Sequence, residues 1–266
     1  MTRRPTFPAT LPTQGAAAGR TRPATPAATA VRASASVAAV RPQGLGLDSQ
    51  AARERMVQKL AAQGLSHPDV LAAMGGVQRH LFVDSALANQ AYEDTSLPIG
   101  LGQTISKPNV VARMIELVLA APAFAQATSA AQRGRILEIG TGCGYQAAVL
   151  ARVAREVYSI ERLRGLHDKA RDNLRPMRLP NVHLLFGDGM LGYARGAPYS
   201  AIIAAAGGEA VPDAWIEQLA IGGRIVAPVQ STAGRQSLVV IDKLTHGVQK
   251  AFLEAVQFVP LKSGIA

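Results

Sequence analysis

From about residue 134 the chain repeats one unit: a short apolar run, a glycine-rich or polar break, and a helix-length segment. The runs fall at residues 136–139, 157–160, 182–186, 201–206, 224–229, 237–241 and 255–259. Helical stretches are expected over 145–154 and 164–174, and another opens at Pro212. Parallel neighbours in a sheet need a crossover of about this length, and a sheet built that way is covered on both faces. The pattern predicts an α/β fold with a doubly wound, mostly parallel, seven-stranded sheet. The last two runs lack an intervening helix, so an antiparallel pair is expected at that end.

The chain before this sheet reads as helical. Residues 51–63 carry Met56, Val57 and Leu60 at helix spacing and end at Gly64. A short helix over 68–74 is expected, with Ser66 as its N-cap, Pro68 and Asp69 in its first turn, and a stop at Gly75-Gly76. Residues 79–103 read as loop. A third helix starts at Pro108, where Val110, Val111, Met114, Leu117 and Val118 form one apolar stripe. The sequence thus divides into a helical part, residues 48–130, and a sheet core, residues 131–266.

In sheets of this kind ligands bind beyond the carboxyl ends of the strands, near the switch in strand order. The first run ends in Glu138-Ile-Gly140-Thr141-Gly142-Cys143-Gly144. Glycines at alternate positions let the backbone turn sharply and come close to a ligand. A dinucleotide fingerprint would put its third glycine at position 145, where this chain has Tyr145. The G-x-G-x-G spacing, with an acid two residues before it, is the pattern of S-adenosylmethionine enzymes, and a plain tight turn is the competing reading. The second run ends at Glu161, placed to accept from ribose hydroxyls. The third ends in Gly187-Asp188-Gly189, where a carboxylate can accept from an adenine amino group.

The net charge of +10 suggests a nucleic-acid partner until its distribution is considered. Residues 1–47 hold Arg3, Arg4, Arg20, Arg22, Arg32 and Arg41 and no acid; the rest carries 22 basic against 18 acidic residues, a balance of +4. That segment is rich in Ala, Pro, Thr and Ser and lacks periodicity, so it is expected to be a disordered tail. A transit peptide is the rival reading, opposed by six prolines in the same stretch. No uninterrupted apolar stretch reaches the roughly 18 residues of a membrane span. Cys143 is the only cysteine and the five histidines are scattered, so neither a disulfide framework nor a metal site is expected.

A more specific signal lies upstream of the glycine loop. Leu97-Pro-Ile-Gly-Leu-Gly-Gln103-Thr104-Ile105-Ser106-Lys-Pro, together with Arg79-His-Leu-Phe-Val83, resembles the protein-L-isoaspartate O-methyltransferase family. The likeness continues through residues 137–145, 187–189, 197–203, 222–224 and 258–261, and so covers about residues 50–265. The resemblance implies a Rossmann-like methyltransferase that uses S-adenosylmethionine and releases S-adenosylhomocysteine. It implies methyl transfer to the free α-carboxyl of L-isoaspartyl residues, and possibly D-aspartyl residues, in damaged proteins; the ester then closes to a succinimide whose hydrolysis restores some aspartate. Carried over by position, it makes Ser106 the active-site residue. It makes Thr104, Ile105, Glu138, Gly140, Thr141, Gly142, Cys143, Gly144, Glu161, Asp188, Gly189 and Leu261 cofactor-binding, with Lys262 less firmly matched. It also suggests a monomer; the expected protein is cytoplasmic and acts on proteins, and the charge distribution, apolar runs and histidine spacing above predict no nucleic-acid, membrane or metal partner. Where the family often has alanines followed by prolines, this chain reads Ala204-Ala-Ala-Gly207-Gly-Glu209.

The chemistry needs no strong base, because the attacking carboxylate is already ionised at neutral pH. The enzyme must align and desolvate it. Ser106 precedes the helix begun by Lys107-Pro108, so its hydroxyl and the free amides of that helix start are expected to favour an anion. The competing reading makes Ser106 only the helix cap. The glycine loop and the two strand-end acids are also compatible with an S-adenosylmethionine enzyme acting on a small molecule or nucleic acid, and with a cofactor-binding module without turnover. A dehydrogenase matches the glycine spacing less well.

Overall fold

The computed structural model describes residues 50–230 and 234–266, so the expected tail, residues 1–47, lies outside the described residues. Two helices come first, α1 (Gln50–Ala62) and α2 (Pro68–Gly76). After them, single helical turns at Arg79–Phe82 and Ser85–Gln90 lead into a hairpin of β1 (Leu97–Gly100) and β2 (Gln103–Ile105), and then α3 (Pro108–Leu119). The core follows as β3 (Arg135–Ile139), α4 (Tyr145–Leu150), β4 (Glu156–Glu161), α5 (Arg164–Leu174), β5 (Val182–Phe186) and β6 (Tyr199–Ala204). It ends with α6 (Asp213–Gln218), β7 (Leu219–Gln230), β8 (Gln236–Leu244) and β9 (Gly247–Val256).

Seven strands form one sheet in the order β5-β4-β3-β6-β7-β8-β9. The pairs from β5 to β7 are parallel, and β8 runs antiparallel to both β7 and β9. The chain winds outward from β3 to β5 and returns to the other side of β3 with β6. The switch in strand order therefore falls beside β3, where the glycine loop begins. Successive residues of one strand feed opposite faces. Ile136, Ala201, Ile203 and Val226 pack with the helical N-terminal part and α4, whereas Leu137, Ile202, Ile225 and Val239 pack around Trp215 of α6. Both faces are buried, which is why the inner strands read as continuous apolar runs.

The departures from the sequence reading have local causes. The last strand is Gly247–Val256, not 255–259, because it is an exposed edge carrying Gln249, Lys250 and Glu254 and lacks a strong apolar signal. Residues 259–261 instead bridge to Gly207. β6 spans Tyr199–Ala204, and α4 ends at Leu150, since residues 151–154 are turns. α2 runs through both glycines, and its N-cap position is His67, not Ser66; the chain entering it is held by Glu116 of α3, which accepts from the amides of Ser66 and His67 at 2.8 and 2.9 Å. The stretch read as loop contains the β1–β2 hairpin, in which Leu97 and Ile99 are buried and Pro98 and Gly100 exposed.

Trp215 fills the lower face and its Nε1 donates to the carbonyl of Gly189 at 2.8 Å. Trp215→Ala should cost about 3–5 kcal/mol of stability, through a cavity and an orphaned carbonyl. Urea denaturation would check this, and a loss under about 1 kcal/mol would contradict it.

Candidate active site

The site is built at the carboxyl ends of β3, β4 and β5. Beyond Ile139 the backbone turns through Gly140, Gly142 and Gly144, all left-handed, at φ 90°, 57° and 90°. At Gly144 a side chain is also excluded by packing, since a Cβ there would lie 3.0 Å from Cδ1 of Leu174. Glu161, at the end of β4, braces the loop. Its Oε2 accepts from the amide of Gly142 and its Oε1 from that of Leu163, each at 2.9 Å. The carboxylate is buried yet borders the cavity, and each oxygen retains a lone pair for a further donor.

Beneath the loop runs a polar column. The hydroxyls of Thr141 and Ser159 lie 2.6 Å apart, and Ser159 donates in turn to Glu138. Glu138 is fully buried. Burial pushes its carboxyl up to about 8; the hydrogen bond from Ser159 pulls the other way and the charge of Glu161 adds to the rise. Glu138 is therefore protonated at neutral pH and serves as part of the loop's support. An ordinary glutamate ionises near 4.5. Below that pH both the folded and the unfolded chain hold the proton, and the group adds no pH dependence. Between 4.5 and about 8 the folded chain keeps a proton that the unfolded chain has released, so stability falls as pH rises and levels off above about 8. Glu138→Gln should remove that slope, worth on the order of a few kcal/mol between about pH 5 and about pH 8.5. Urea midpoints at the two pH values measure it, and equal slopes in both proteins would refute the assignment.

A cavity of about 290 Å³ opens above the loop. Of the residues expected in the site, it is lined by Thr104, Ile105, Ser106, Gly140, Thr141, Gly142, Cys143, Glu161, Gly189 and Leu261, with Lys262 beside them. Glu138, Gly144 and Asp188 stand outside that lining. Glu138 lies in the column below, and Gly144 is turned toward Leu174 and Ala170. The Asp188 carboxylate accepts from the amide of Met190 at 2.8 Å and from that of Gly264 at 2.6 Å, one amide on each oxygen as at Glu161. Residues 264–266 cross the end of β4 here: Arg162 Nε donates to the carbonyl of Gly264, and the amide of Ala266 to that of Arg162. Burial raises the Cys143 thiol and leaves it a packing residue. Sequence reasoning missed Ile99 and Leu101 of the hairpin, which cover the cavity; Lys169 anchors them by donating to the carbonyl of Ile99 at 2.8 Å.

Next to this cavity lies an open groove of about 1120 Å³, bordered by Lys107, Asn109 and Arg113 of the α3 start and by residues 254–259. Thr104, Ser106, Ala205 and Val259 border both spaces. Ser106 thus stands where a ligand over the glycine loop would meet a chain lying in the groove. It is not the helix cap. Lys107 occupies the N-cap position, and the cap is supplied by Asp94, which accepts from the amide of Asn109 at 2.8 Å. That bond also corrects the expectation of free amides at this helix start, since the amide of Asn109 is already used. Among the described residues nothing hydrogen-bonds the Ser106 hydroxyl.

A mostly parallel seven-stranded sheet with this strand order, a glycine loop after its first core strand and an acid ending the next defines a Rossmann-like methyltransferase. The model of the protein-L-isoaspartate(D-aspartate) O-methyltransferase family matches residues 51–266, and the chain belongs to that family. It is 62% identical over 225 residues to protein-L-isoaspartate O-methyltransferase of Methylibium petroleiphilum, an alignment covering 84% of this chain and 81% of the relative. Among solved structures, a protein-L-isoaspartate O-methyltransferase superposes with a TM-score of 0.71 at 27% identity, covering 80% of this chain and 67% of the other. A Plasmodium falciparum protein of the same description, crystallised with S-adenosyl-L-homocysteine, has a TM-score of 0.66 at 22% identity, over 79% of this chain and 98% of its own, and attests the fold.

Proposed function

We propose that this chain transfers a methyl group from S-adenosylmethionine to the free α-carboxylate of L-isoaspartyl residues in damaged proteins. The observation that carries this reading is the placement of Ser106, with an uncommitted hydroxyl, on the border between an enclosed cavity and an open groove. The cavity fits an adenosyl ligand: left-handed glycines form its floor, Glu161 offers acceptors for sugar hydroxyls, and Ile99, Ile139, Ile160 and Leu166 give it apolar walls. The groove is open enough for a polypeptide.

Bound there, S-adenosylmethionine supplies an electrophilic methyl on a sulfonium centre and leaves as S-adenosylhomocysteine. In this reading the Ser106 hydroxyl donates to one oxygen of the acceptor carboxylate and turns the other toward the cavity. Lys107 borders the groove and favours an anionic acceptor, whereas Arg113 there is paired with Glu116 and Glu254. The hairpin tip at Leu101 and the Leu261–Lys262 segment limit water at the reacting atoms. No side chain has to remove a proton, which matches a site without a catalytic histidine or cysteine.

We assign the chemistry to residues 48–266, acting as a cytoplasmic monomer on proteins rather than nucleic acid. None of the helices in the described residues is long and apolar enough to cross a membrane. The test is incubation with labelled cofactor and matched isoaspartyl and aspartyl peptides. Base-labile methyl ester on the isoaspartyl peptide alone is the expected result, and no ester on either peptide would overturn the reading.

A further inference from the structure

Ser106 is held from behind by a buried cation. Arg79 has no exposed surface. Its Nε donates to the carbonyl of Ala91 at 2.8 Å, and its Nη2 donates to the carbonyl of Ser106 at 2.7 Å and reaches that of Thr95 at 3.5 Å. The same guanidinium lies 4.8 Å from the ring centroid of Tyr145, the first residue of α4, immediately after the glycine loop. Phe82, from the same helical turn as Arg79, meets that ring edge-on at 5.5 Å.

Burying a guanidinium carries a large desolvation penalty, and an apolar side chain of the same bulk would often leave a protein equally stable. The charge therefore needs a reason beyond filling space. Its acceptors supply one. Ala91, Thr95 and Ser106 lie outside the helices and strands, so their buried or half-buried carbonyls have no ladder or helix partner and take the guanidinium as donor. Ser106 and Lys107 form the two-residue link between β2 and α3. Ile105 is fixed by pairing with Leu97, and the helix start by Asp94. The Ser106 carbonyl between them is fixed by Arg79, which rests on the residue that leads out of the glycine loop. One side chain thus ties the acceptor side of the site to the cofactor side.

We propose that Arg79 is a positioning residue for methyl transfer: by holding the Ser106 carbonyl while resting on Tyr145, it sets the serine hydroxyl at its working distance from the glycine-loop cavity. The proposal rests on the reading of Ser106 given above. Arg79 touches neither substrate nor cofactor and acts through Ser106. A lysine at this position can reach one carbonyl but cannot span the others or lie flat on Tyr145.

The test is a double-mutant cycle of Arg79→Lys and Ser106→Ala, read as kcat and KM for an isoaspartyl peptide and as cofactor affinity by calorimetry. Arg79→Lys alone is expected to lower kcat about tenfold, with KM and cofactor affinity within about threefold of the parent. In the Ser106→Ala background the same change should lower kcat less than about twofold, because the group it positions is gone. An equal loss in both backgrounds, or parallel losses of kcat and cofactor affinity, would make Arg79 a structural residue and overturn the proposal. Ser106→Ala with unchanged kcat would instead overturn the reading of Ser106, and with it the basis of this inference. If Arg79→Lys does not fold, Arg79→Gln, which keeps a neutral donor, enters the same cycle with the same criteria.

Discussion

Ser106→Ala should lower kcat on isoaspartyl peptides on the order of a hundredfold while leaving the affinity for S-adenosylmethionine within about twofold. The argument is geometric. The hydroxyl borders both spaces and is spent neither on capping α3 nor on another side chain among the described residues. In a reaction without proton abstraction, what a side chain can add is orientation and desolvation of the nucleophile, and a misplaced carboxylate loses that advantage. The carboxylate loses charge as the methyl transfers, so a donor to it acts through alignment alone, and a misplacement of about 1 Å at the reacting atoms is worth about a hundredfold in rate. The effect belongs in kcat, because the carboxylate is only one of many contacts that a polypeptide makes in the groove. A hydroxyl that merely filled space would leave kcat within about twofold on truncation, and that result would remove Ser106 from the mechanism. Calorimetry with the cofactor alone separates this from collapse of the site.

What can be read from the sequence follows from burial. β3 and β4 lie where the apolar runs place them, because strands covered on both faces have little room for polar residues, while β5 is a half-buried edge that keeps an apolar run interrupted only by His183. The glycine loop and Glu161 are legible for a related reason: a left-handed backbone and a strand-end carboxylate each need a particular residue type at one position. β9 is not, since an exposed edge imposes no such demand. The hairpin over the cavity is hidden by its own composition, because Pro98, Gly100 and Gly102 punctuate a segment that nevertheless alternates buried and exposed residues.

Side-chain roles set by distant partners are the least accessible. Asp188 reads as a ligand from its strand-end position, but it stands outside the cavity lining and is held by the amides of Met190 and Gly264, the second 76 residues along the chain. Glu138 reads as another site acid, but complete burial makes it a neutral support. Arg79 stands out in the sequence only as part of a family-like stretch, and its link to Ser106, 27 residues on, exists only after folding. In each case the deciding contact joins segments that no local pattern connects.

Gly142→Val should weaken S-adenosylmethionine binding on the order of a hundredfold or more while the chain remains folded. Gly142 sits at φ 57°, where a β-branched residue is strained by roughly 1–3 kcal/mol. A Cβ there would lie 3.2 Å from Cδ1 of Ile99, so a valine wedges the loop away from the hairpin that covers the cavity. The loop can relieve the strain only by turning, and turning withdraws the Gly142 amide from Glu161. That releases the carboxylate expected to meet the sugar hydroxyls, so strain, lost volume and lost alignment all fall on the cofactor. Gly142→Ala, which keeps part of the strain and adds little bulk, should lose about tenfold. Calorimetric affinities for both variants, beside their thermal midpoints, give the answer. Binding of the valine variant at the parent's strength would mean that the cavity over the glycine loop is not the cofactor site. Paired with Ser106→Ala, the experiment separates the two halves of the site: the loop variant should lose binding of the methyl donor, and the serine variant should bind it and fail to pass the methyl on.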